Sequence, residues 1–144
     1  MKEILFFITC IFIISVAHGS SMLDGNVLAP CFQPDKENLE CIIAVTERSD
    51  GAVNLAYHKK LQEIKAKDEM SWWMGSKAQK TSMIDNFVNN QRLWLDYRNS
   101  YCVTIATPEE NTHAYGEVQA RCRINMNQRR IDEINMLYHP ELDD

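Results

Sequence analysis

Glycine and proline are scarce, five and four in 144 residues, which leaves little material for turn-rich sheets or a glycine-lined phosphate loop. No run of alternating apolar and polar residues argues for a strand, and no repeat or low-complexity tract is present. Histidine is equally rare, and none of His58, His113 and His139 sits in a nucleophile or zinc signature. G-x-S-x-G, H-E-x-x-H and C-x-x-C are all missing, so the chain reads as a non-enzyme with no metal and no cofactor. Carboxylates are plentiful, yet no pair is singled out for glycosidase chemistry. Cations are the minority charge, 15 Lys+Arg against 20 Asp+Glu, for a net charge of -5. That balance lacks the basic face a nucleic-acid binder uses to displace counterions. What is present, 45% hydrophobic and 24% charged residues, is ordinary for one globular domain.

The first residues are the most apolar. After Met1-Lys2-Glu3, a run from Ile4 to Val16 leads into Ala17-His18-Gly19. This is the charge, apolar run and small-x-small order of a secretory signal, and the run of about 13 residues falls short of the roughly 20 that span a bilayer. The expected layout is a signal peptide at 1–19, an irregular arm at 20–34, a helical domain at 35–139 and an acidic tail at 140–144. The mature product is then periplasmic or secreted, with no stable membrane insertion. Cleavage after Gly19 removes Cys10 and leaves Cys31, Cys41, Cys102 and Cys122. Four cysteines in a small exported domain imply two disulfides, and all three pairings stay open.

Helical periodicity dominates the rest. Asp35 is a candidate N-cap, followed by an apolar face of Leu39, Ile43, Thr46, Val53, Tyr57, Leu61 and Ile64. Asp50-Gly51 interrupts this helix and is expected to kink it rather than divide it. Lys65 to Lys77 reads as a connection containing Trp72-Trp73, which either caps the core or anchors a partner. A second helix is expected over 78–103, with Met83, Phe87, Trp94, Tyr101 and Ile105 on one side. A loop at 107–112 carries Glu109 and Glu110, and a third helix spans 113–138. The fold class is therefore all-α, a small antiparallel bundle of about three main helices stapled by two disulfides. Tyr57 and Trp94 are expected to pack against each other's helix, and Asp50, Asn54, Arg92 and Arg98 to form a polar cluster between helices.

Three segments carry a resemblance. Cys41 followed by Asp50-x-x-Val53-Asn54-x-x-Tyr57 resembles C…D-x-x-[LVM]-N-x-x-Y. Gln91-Arg92-x-Trp94-Leu95-x-Tyr97-Arg98-Asn99-x-x-Cys102 resembles Q-R-x-W-[IL]-x-[YF]-R-D-x-x-C. Cys122, Arg130 and Ile134 match the spacing C-x7-R-x3-L. Together, over about residues 31–137, the chain resembles the LprI-like lysozyme inhibitor domain family of small exported bacterial proteins. It departs from the pattern at Asn99, where Asp is usual, at Asn127, often Thr, and at Arg123, often apolar. The resemblance implies a disulfide-stapled helical protein that inhibits a lysozyme-type cell-wall hydrolase, a basic partner that an acidic chain attracts. The most exposed candidate contacts are Asp68, Glu69, Trp72 and Trp73 in one loop and Glu109 and Glu110 in the other. The rival readings are a non-inhibitory envelope interaction module and a helical carrier of a small apolar ligand.

Overall fold

A computed structural model describes residues 21–32, 38–68 and 76–137. The expected signal, the Asp35 cap, the Glu69 and Trp72-Trp73 positions and the acidic tail lie outside these residues. A short 3-10 turn at Ala29–Cys31 precedes three long helices: α1 (Asn38–Ala66), α2 (Lys77–Ala106) and α3 (Ala114–Asn135). Among the described residues there is no strand.

α1 is one uninterrupted helix through Asp50-Gly51, and Gly51 lies on its exposed side. α2 is longer than expected, because Ser76 caps it by accepting from the Ala78 amide (3.2 Å) and its last turn runs on to Ala106. The expected 107–112 loop begins as a 3-10 turn, Thr107–Glu109. It then reverses through Asn111, whose φ of 67° is a left-handed conformation that asparagine tolerates. α3 starts at Ala114 and ends at Asn135.

The cross-helix pairs set the directions. Asp50 meets Arg98, and Tyr57 stacks on Phe87 with ring centroids 5.2 Å apart, so α1 and α2 are antiparallel. Arg98 meets Asn127, and Gln91 meets Arg130, so α2 and α3 are antiparallel as well. α1 and α3 therefore run parallel, side by side.

α1 and α2 each turn one stripe inward at steps of four and three, the spacing that keeps a seam facing its neighbours. On α1 the stripe is Thr46, Asp50, Val53, Tyr57, Leu61 and Ile64; on α2 it is Phe87, Gln91, Trp94, Arg98 and Cys102. The apolar core is split along the axis. Leu61, Ile64, Phe87 and Ile134 form one cluster, and Cys102, Cys122 and Met126 form the other. The stretch between them is polar.

The disulfides pair neighbours in sequence, Cys31–Cys41 and Cys102–Cys122. The first ties the arm to the opening of α1, and the second ties the last turns of α2 to the third turn of α3. The arm is irregular but docked. Leu28 and Cys31 are fully buried, Met22 and Leu23 pack on the Cys102–Cys122 cluster, and Asn125 Nδ2 donates to the carbonyls of Met22 (2.7 Å) and Asp24 (2.9 Å).

Candidate functional site

Two polar nodes occupy the middle of the bundle. In the first, Arg98 Nη1 donates to Asp50 Oδ1 (2.9 Å) and to Asn127 Oδ1 (2.7 Å). Asn127, fully buried, donates in turn to Asp50 Oδ1 (2.8 Å) and Ser49 Oγ (3.0 Å). Arg123 Nη2 takes the other oxygen of Asp50, and Arg98 Nε and Nη2 both reach Asn99 Oδ1 (3.2 and 3.0 Å). All three helices meet here. Burial lowers the Arg98 pKa from its ordinary value, Asp50 opposes that shift, and the like charge of Arg123 adds to it. The guanidinium remains a cation at neutral pH.

The membership of this node differs from expectation. Asn54 and Arg92 are exposed and outside it, because each lies one position off its helix's buried stripe. Asn127 and Arg123 take their places from α3. The three departures from the family pattern, Asn99, Arg123 and Asn127, all touch this one node.

The second node links α2 and α3. Arg130 donates through Nε to Gln91 Oε1 (2.9 Å), through Nη2 to Asn90 Oδ1 (2.6 Å), and through Nη1 to Glu133 (2.9 Å). Trp94 sits between the nodes, with the Arg98 guanidinium 5.3 Å and that of Arg130 5.5 Å from its ring. Trp94 packs against the Cys102–Cys122 cluster, where Cys122 and Met126 belong to α3. Tyr57 does face the neighbouring helix, on Phe87. Gln91 Nε2 and Arg123 Nε are buried donors without a partner among the described residues.

The buried members, Arg98, Asn127, Gln91 and Arg130, are held mainly by their neighbours and fix helix register, whereas Asp50 and Arg123 also reach the surface. The surface differs. Beyond the first node, the opening turns of α1 and α3 leave an open groove of about 1030 Å³. One wall is Leu39, Ile42, Ile43 and Thr46; the other is Ala114, Gly116 and Ala120, with Phe32 at its side. Leu39 and Ile43 were expected in the core but are 70% and 48% exposed, and Phe32 is 45% exposed. The physical reason is the size of the residues opposite. Glycine and alanine on α3 do not reach across, and a Cβ added at Gly116 would meet nothing within 4 Å. Glu47, Asp50 and Glu117 are the carboxylates of this groove and Arg123 its guanidinium.

Of the loop residues singled out, Asp68 and Glu110 are exposed. Glu109 is partly buried and accepts from Thr112 Oγ1 (3.2 Å), so it shapes the turn into α3. Sequence reasoning missed the groove, although the small residues Gly116 and Ala120, one turn apart on α3, were its signal. Among the described residues, no group of three or more His, Cys, Asp and Glu side chains is placed to hold a metal. Among them, no helix is long and apolar enough to cross a membrane.

With this geometry in place, comparison with known proteins adds one match. Residues 32–134 fit the family model described as "Lysozyme inhibitor LprI", which covers most of the chain. No curated protein and no solved structure matches.

Proposed function

We propose that this chain, which belongs to the LprI lysozyme inhibitor family, is exported to the periplasm or medium and there binds and inhibits a lysozyme-type cell-wall hydrolase. The family match over residues 32–134 carries the reading. Two other features support it. A disulfide-stapled bundle suits an oxidising compartment. The net charge of -5 favours encounter with the strongly basic proteins that many lysozymes are. In this reading the chain performs no chemistry of its own and acts by occupying the hydrolase. The leading segment 1–19 serves as the export signal and is absent from the active product.

The test is a turbidity assay. Purified residues 20–144 with both disulfides formed are mixed with lysozymes of several types, and lysis of bacterial cell walls is followed. The expected result is inhibition that saturates near one inhibitor per enzyme. Undiminished lysis at large molar excess across all types overturns the reading.

A further inference from the structure

We propose that the groove between the opening turns of α1 and α3 is the surface that seats the partner, and that it takes a protruding apolar side chain flanked by Lys or Arg on a basic hydrolase. The inference rests on the lysozyme reading and adds to it a location and a chemistry of contact.

Apolar exposure is the first argument. Leu39, Ile43 and Phe32 expose large side chains around one concavity. A clustered apolar patch in a small soluble domain marks an interaction surface more often than scattered apolar residues do. Other exposed apolar residues, such as Leu55 on α1 and Leu93 on α2, do not line this groove or the smaller cleft beside Met83 and Leu137.

Charge decides the occupant. Among the described residues, the groove has three carboxylates, Glu47, Asp50 and Glu117, against one guanidinium, Arg123. Arg123 and Asp50 pair with each other, and Glu117 binds Arg121 (2.6 Å). Glu47 is exposed and has no ion-pair partner among the described residues. With Asp50 and Glu117 already neutralised by arginines, Glu47 is the carboxylate left to meet a cation. An apolar floor with this one acidic edge complements an apolar knob with a basic neighbour, and a second copy of this acidic chain is a poorer fit.

The construction is also rigid. The Cys31–Cys41 bond pins Phe32 beside the first turns of α1, and the Asp50–Arg98–Asn127 node closes the inner end of the groove. A preformed site spares the partner the cost of ordering it.

The test compares inhibition by the disulfide-intact wild type with Gly116→Leu, Ile43→Asp, Glu47→Lys and a control on the far side of α2, Leu93→Ser. Gly116→Leu fills open space in a helix, so it keeps the fold while blocking the groove. Circular dichroism and thermal melting verify folding. The expected result is that Gly116→Leu and Ile43→Asp each raise the half-inhibition concentration at least about ten-fold. Glu47→Lys weakens inhibition most at low salt, and Leu93→Ser changes nothing. Full inhibition by folded Gly116→Leu and Ile43→Asp overturns the groove while leaving the lysozyme reading standing. No inhibition by the wild type overturns both. A wild-type dimer in native mass spectrometry that Ile43→Asp disperses also overturns the proposal, by giving the groove to a second copy.

Discussion

Asp50 accepts hydrogen bonds from three side chains on two other helices, and its removal strands more than it deletes. Arg98 is almost fully buried and depends on Asp50 for its counter-charge. Asp50→Asn is therefore expected to destabilise the fold by about 3 kcal/mol, the cost of leaving a buried cation unpaired. Arg123 reaches the same carboxylate from a half-exposed position and repels Arg98. Arg123→Gln is expected to stay within about 1 kcal/mol of wild type. Urea denaturation of the two variants checks both numbers, and comparable losses would contradict the division of roles. At this scale the sequence was half legible. Asp50 and Arg98 stood out within their motifs, and the four-three stripe excludes Asn54 and Arg92 by periodicity alone. Asn127 and Arg123 were not legible as partners, because which turn of α3 faces Asp50 depends on how the helices are aligned in space.

The helices and their staples set a second group of expectations. Gly51 lies exposed in the middle of α1 and a Cβ there meets nothing within 4 Å. Gly51→Ala is expected to stabilise the protein by about 1 kcal/mol, read as a raised melting temperature. The disulfides separate by consequence. Cys102–Cys122 spans 20 residues and Cys31–Cys41 spans 10, so chain-entropy arguments give both about 3 kcal/mol, with the longer loop ahead by about 0.6. Only the shorter one positions Phe32 at the groove. Replacing Cys31 and Cys41 together by serine is expected to leave a folded bundle that inhibits poorly. Undiminished inhibition by that variant would detach the arm from function. The three helices, their order and the absence of strands were readable from apolar spacing and from the scarcity of glycine and proline. The pairing of cysteines was not, since four cysteines brought to a small bundle satisfy every connectivity on paper. The exposure of Leu39 and Ile43 was also hidden. Their spacing continues the core stripe, and only the small residues opposite on α3 leave them uncovered.

At the scale of the whole molecule, two modest apolar clusters flank a polar middle, and the chain has a shortage of core that two disulfides and a docked arm offset. That economy leaves the α1–α3 end free to be shaped for contact rather than packing. The acidic balance gives the association a salt signature: affinity for a basic hydrolase is expected to fall as ionic strength rises, mainly through the on-rate. Hydrogen exchange on the disulfide-intact protein, alone and with saturating lysozyme, asks the central question most directly. Slowed exchange centred on residues 38–50 and 113–123, with the outer face of α2 around Leu93 and Tyr97 unchanged, is the expected result. Exchange unaltered everywhere, or protection centred on that α2 face, would contradict it.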